Sequence, residues 1–80
     1  MLTLEEYDAL AEADKAAAIL NGEFLADREE NGLMVQLYSF GSLYGEIYYD
    51  TLANKILRWR AFKGISQLAP YLAHIRFNPR

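Results

Sequence analysis

Cysteine is absent from the 80 residues, histidine occurs once and proline twice. Without a thiol there is neither a disulfide staple nor a thiolate metal site, which suits a reducing compartment. One histidine and scattered carboxylates fall short of the three or four convergent ligands that zinc requires. No window approaches ~18–20 uninterrupted apolar residues, so no segment reads as a membrane-spanning helix. The opening Met1-Leu2-Thr3-Leu4-Glu5-Glu6 lacks the basic start and apolar run of a signal peptide, and the expected location is cytoplasmic.

Catalytic chemistry is equally short of parts. Nucleophilic catalysis needs a hydroxyl or thiol beside a base, yet the single His74 falls in the last helical segment, off its apolar stripe and facing solvent. Ser39, Ser42 and Ser66 sit at strand-edge, turn and cap positions. Gly41-Ser42-Leu43-Tyr44-Gly45 has neither the lysine nor the strand-to-helix context of a phosphate-binding loop. Gly45 reads instead as a bend in its strand or as room beneath a neighbouring aromatic. The run Asp27-Arg28-Glu29-Glu30 reads as a solvated hairpin end without calcium-loop spacing. The chain is therefore expected to be no enzyme and to carry no cofactor.

What is present is apolar and aromatic: 52% of residues are hydrophobic and 14% aromatic. A chain of this length buries roughly 60–65% of its unfolded surface, enough for one small domain spanning 1–80. The net charge is −3 and the pI about 5.0, but the charge is unevenly placed. Most acids precede residue 31, whereas Lys55, Arg58, Arg60, Lys63, Arg76 and Arg80 occupy the last third. The overall sign opposes a strong phosphate-driven affinity, while a local basic strip remains able to meet one anionic partner.

Thr3 and Glu6 have capping-box spacing, and Glu5, Glu6 and Asp8 favour a helix start. An alanine-rich helical segment, 3–21, follows. Its apolar phase slips, since Leu4, Tyr7, Leu10 and Ala11 share a stripe that Leu20 misses. A break near Ala11–Asp14, or two short helices, is expected, with Gly22 as a left-handed stop. Four apolar runs then alternate with turn signals. Strands are read at 23–29, 33–40, 43–50 and 55–62, separated by Asn31-Gly32, Gly41-Ser42 and Asp50-Thr51-Leu52-Ala53-Asn54. The first turn is either a two-residue Asn31-Gly32 loop or a three-residue loop that begins at Glu30. Ser66 is the candidate cap of a final helix, 66–77, with Pro70 in its first turn and Leu68, Leu72 and Ile75 as its stripe.

The expected fold is α+β: a four-stranded antiparallel meander in order 1-2-3-4, with the N-terminal helical segment and the C-terminal helix packed on one face. Turn geometry puts Tyr38, Gly45, Gln36, Ile47, Met34 and Tyr49 on that face, with Leu57, Trp59 and Ala61, and with Phe24 and Ala26 if the first loop has three residues. The other face then holds Val35, Leu37, Tyr44, Tyr48, Ile56 and Phe62, interleaved with Asp27, Glu46, Arg58 and Arg60. Two helices on one side leave this face open, with more apolar area than a solvated face needs.

The functional expectation rests on this open face. Arg58-Trp59-Arg60 presents two guanidinium groups toward Tyr44 and Tyr48, and tyrosine and arginine are enriched at protein interfaces. The same residues also suit cross-strand cation–π contacts and Glu46–Arg pairs that serve the sheet alone. The leading expectation is a protein-interaction module, self-associating or binding a protein partner through Leu37, Tyr44, Tyr48, Arg58, Arg60 and Phe62, with a homodimer the simplest form. One alternative is a nucleic-acid or anionic-ligand binder using Arg58, Arg60 and Tyr44, although the RNP-type pattern of RNA-recognition sheets is absent. Another is a small acidic regulator, antitoxin- or immunity-like, masking a basic partner through Glu5, Glu6, Asp8, Glu12 and Asp14.

Overall fold

The computed structural model describes residues 2–64 and 66–71. Two short helices, α1 (Leu4–Asp8) and α2 (Glu12–Leu20), precede four strands, β1 (Glu23–Glu30), β2 (Leu33–Phe40), β3 (Leu43–Asp50) and β4 (Lys55–Phe62). A 3-10 helix, Ser66–Tyr71, follows. The strands form one antiparallel sheet in order β1-β2-β3-β4, an α+β arrangement. The expected helix beyond Tyr71, with Leu72, His74 and Ile75, lies outside the described residues.

The helical segment is two helices, as its phase slip implies. Thr3 Oγ1 accepts from the Glu6 amide at 3.1 Å and Glu6 Oε1 accepts from the Thr3 amide at 2.9 Å, completing the capping box. The break falls at 9–11, and Leu20 stays 41% exposed beyond the docked face. Gly22 is not a left-handed stop: α2 ends on Asn21 in right-handed geometry, and Gly22 has no positive φ. Its glycine is required by proximity, because a Cβ there would meet the Ser39 carbonyl oxygen at 2.3 Å.

The tight turns follow their residue types. Asn31 and Gly32 both have positive φ (50° and 81°) between the paired Glu30 and Leu33, a two-residue type I′ loop. Gly41 alone is positive in the second loop, as a type II′ turn requires. In the third, Asp50 Oδ1 accepts from the amides of Leu52 and Ala53, and Asn54 takes φ 56°. The β2–β3 register matches the expectation, from Phe40 opposite Leu43 to Met34 opposite Tyr49.

Both edge strands depart from strict alternation. The β1–β2 register shifts between Phe24 and Ala26, and the β3–β4 register between Tyr48 and Tyr49. Each shift inserts one extra residue, Leu25 in β1 and Leu57 in β4, and so exchanges the faces beyond it. Phe24 stays on the Tyr38 side, whereas Ala26, expected there, lies opposite Leu37 on the second face. Asp27, expected on the second face, pairs with Gln36 on the first, and Arg28 takes the second-face position opposite Val35. Ile56 moves to the first face opposite Tyr49, leaving Leu57 44% exposed at the bulge.

The sheet is covered on both sides. On the first face Tyr7, Ile19, Phe40, Leu43 and Ile47 form one buried cluster, flanked by Leu4, Leu10, Ile56 and Trp59. On the second, Leu37 and Phe62 are buried under Leu68 and Tyr71 of the 3-10 helix, with Leu25, Ala26 and Tyr44 alongside. The C-terminal segment thus packs opposite the N-terminal helices rather than beside them. Three-residue spacing explains its contact: Leu68 and Tyr71 eclipse one another on a 3-10 helix and face the same surface.

Gly45 sets the approach of α2. A Cβ at this position would lie 2.6–2.9 Å from three side-chain carbons of Ile19, so the neighbour that needs the space is this aliphatic residue and not an aromatic. Gly45→Ala is expected to destabilise the fold by about 1–3 kcal/mol through overpacking. In denaturant titrations the double variant Gly45→Ala/Ile19→Ala should cost less than the sum of its parts, since alanine at 19 removes all three carbons that the new Cβ would meet.

Candidate interaction surface

The second face is organised around an acid. Glu46, at the middle of the central strand β3, is fully buried, with 0% exposure. Cross-strand pairing sets Arg60 opposite it on β4 and Leu37 opposite it on β2. Two residues along, on the same face, Arg28, Val35, Tyr48 and Arg58 make the next row across all four strands. Burying an isolated carboxylate is prohibitive, so it must be paired and hydrogen-bonded.

Each carboxylate oxygen has two donors. Oε1 accepts from Arg60 Nε at 2.5 Å and from the Tyr48 hydroxyl at 3.4 Å. Oε2 accepts from Arg28 Nη2 at 3.3 Å and from the Tyr71 hydroxyl. The four acceptor positions of an ionised carboxylate are thereby filled. Burial pushes the Glu46 pKa up, but hydrogen bonds from Tyr71 and Arg60 and the charges of Arg60 and Arg28 outweigh it. The net direction is down, below the usual carboxylate range. Tyr71 moves the opposite way: burial first, then its bond to Glu46, raises its hydroxyl well above the ordinary tyrosine value.

The network extends outward through alternating charges. Arg28 Nη1 donates to Glu30 at 2.7 Å, and Glu30 Oε2 lies 3.7 Å from Arg58 Nη2. Three arginines and two glutamates thus run across the sheet, one cation in excess. Guanidinium groups also cover aromatic rings: Arg58 lies 4.0 Å from the Tyr48 ring centre, Arg60 5.1 Å from Phe62 and Arg28 5.2 Å from Tyr71.

The six candidate partner-binding residues are therefore not one open patch. Leu37, Tyr48 and Phe62 are buried at 0%, 4% and 3% exposure, beneath the 3-10 helix and the arginine stems. Tyr44 is half-buried and stacked on Phe62 with ring centres 5.8 Å apart. Only Arg58 and Arg60 are exposed. A dimer through the second face, as expected from an open sheet, loses the apolar surface on which it rested.

Residues outside the expected set carry much of the geometry. Arg28 is a half-buried partner of Glu46, its side chain 11% exposed, rather than part of a solvated run. The two-residue Asn31-Gly32 loop signals this, because it fixes Glu30 opposite Leu33 and hence Arg28 opposite Val35. Tyr71 closes the cluster from another element, and local sequence carries no signal for that contact.

The surface that remains open is the outer margin of β4. Between 55 and 63 the chain holds Lys55, Arg58, Arg60 and Lys63 and no acid, and all four cations are exposed. Among the described residues, no carboxylate lies within ion-pair distance of Lys55 or Lys63. Also among the described residues, no pocket opens on the surface, no three acids or histidines converge as metal ligands, and no helix is long and apolar enough to cross a membrane. No protein-family model, curated protein or solved structure matches the chain.

Removing Glu46 takes one partner each from Arg28 and Arg60 and leaves the Tyr48 and Tyr71 hydroxyls without their acceptor. Glu46→Ala should cost about 1–3 kcal/mol, the range for leaving buried donors unsatisfied. The Tyr71 shift adds a pH signature. A group whose folded pKa is raised contributes stability below its unfolded value, so this part is complete below about pH 10 and lost as pH rises through the folded value. In alkaline denaturant titrations Tyr71→Phe should lower stability at neutral pH and flatten the loss above about pH 10.

Proposed function

We propose that this chain is a non-enzymatic interaction module that meets a protein partner along the β4 margin of its sheet. The observation that carries the reading is the separation of roles on the second face. The Glu46 carboxylate has all four acceptor positions filled, whereas β4 beside it ends the strand order and carries exposed Lys55 and, just past its end, Lys63, which have no carboxylate within ion-pair distance among the described residues. Leu57, lifted out by the bulge, adds an apolar contact to the same edge. Nucleic acid is the weaker occupant, since the net charge of −3 opposes a strong phosphate-driven affinity.

A second reading draws on a separate surface. Glu5, Glu6, Asp8, Glu12 and Asp14 on α1 and α2 are all exposed, and among the described residues only Glu12 of these acids has an ion-pair partner, Lys15 at 3.0 Å. A basic partner masked by these helices is the acidic-regulator alternative.

Affinity capture from the native cell separates the two. A partner should co-purify with the wild type, be lost with Lys55→Glu/Lys63→Glu, and persist with Glu5→Lys/Asp8→Lys. These lysines have no ion partner among the described residues, so their reversal leaves the folded core intact. Capture that ignores the lysines and follows the N-terminal acids would replace this reading with the acidic regulator.

A further inference from the structure

The inference rests on the β4 reading and names the chemistry of the partner: we propose that the outer edge of β4 takes up an extended acidic segment of another protein as a fifth strand. An edge strand presents alternate N–H and C=O groups without partners, and extended peptides bind such edges through main-chain hydrogen bonds. β4 is eight residues long and forms one end of the strand order. Its bulge at Leu57 interrupts any template there, so the continuous segment of the edge, with no further strand beside it among the described residues, is Arg58 to Phe62.

Side-chain faces give the partner's pattern. Lys55, Arg58 and Arg60 lie on the second face, opposite Asp50, Tyr48 and Glu46. Ile56, Trp59 and Ala61 lie on the first face, half-buried against the helix-side core. A fifth strand therefore meets cations on one side and apolar rims on the other. Period-two geometry selects a segment in which acidic and apolar residues alternate.

Charge also selects against copies of the chain itself. Two β4 edges would set cations against cations. The acidic edge strand β1 is mismatched when its sheet continues with faces aligned. Its Asp27 and Glu29 then fall on the apolar side, and Arg28 falls among the arginines. Such a head-to-tail contact would also propagate without closing.

The probe is an end-blocked eight-residue peptide of alternating Glu and Val. Its controls are the Lys-Val counterpart, a backbone N-methylated Glu-Val peptide and a short oligothymidylate. Trp59, the single tryptophan, stands on β4 and reports binding by fluorescence; amide hydrogen exchange locates it. The Glu-Val peptide should bind, protect the amides of Arg58–Phe62, weaken as salt rises from about 50 to about 200 mM, and lose affinity in Lys55→Glu/Lys63→Glu. N-methylation should cost about tenfold or more, the worth of a main-chain hydrogen bond.

Equal binding of the methylated peptide, or no change in β4 exchange, would overturn strand addition. So would a tighter oligothymidylate, absence of Glu-Val binding, or β4 amides already protected by concentration-dependent self-association. A cellular partner that depends on Lys55 and Lys63 without protecting β4 amides would defeat this inference alone. Loss of the lysine dependence would remove the interaction reading as well.

Discussion

A charged carboxylate at the centre of a sheet, shielded from water on every side, is the constraint on which this structure depends. Glu46 occupies a position that an apolar residue would fill at less cost, because desolvating an ion in the interior forfeits several kcal/mol before any partner is counted. The chain offsets that cost by bringing donors from all around the acid: Arg28 from β1, Tyr48 from β3, Arg60 from β4 and Tyr71 from the 3-10 helix. A one-residue slip of β3 would send Glu46 into the apolar helix-side core, against Ile19 and Leu43, so the acid penalises every odd-residue shift of register.

The two faces divide the labour. The helix side is apolar and sterically tuned, with Ile19 seated on Gly45. The other side is small, polar at its centre and closed by the 3-10 helix, whose Leu68 supplies apolar contact and whose Tyr71 supplies a hydrogen bond. Because arginine stems cover the aromatic rings there, this face is buried with little helix. Exposed cations stand at its rim, on the strand that ends the sheet order among the described residues.

The meander was legible because its turns carry their own chemistry. Asn31-Gly32, Gly41-Ser42 and the Thr3–Glu6 box each specify a backbone geometry locally, and the β2–β3 register follows from the tightest loop. The bulges were not legible by alternation, since one extra residue inverts every side chain beyond it. Their trace is the adjacent apolar residues Phe24-Leu25-Ala26 and Ile56-Leu57, which no strictly alternating strand accommodates on a single face. Arg28 was hidden in a charged run that resembles a solvated hairpin end. The side on which Leu68 and Tyr71 dock depends on a contact between distant segments, and a short stripe is compatible with either face. The candidate set was therefore read as one patch when it is part core and part rim.

The ionisation of Glu46 is the quantity closest to this account. A carbon-detected NMR titration of the folded protein, with Glu46→Gln to assign the resonance, reads that carboxyl directly. If its four donors outweigh its burial, the group titrates below the usual glutamate value of about 4.3 and stays charged until the fold is lost. A carboxyl that takes up its proton above that value, in a protein still folded, would contradict a charged carboxylate as the centre of the structure.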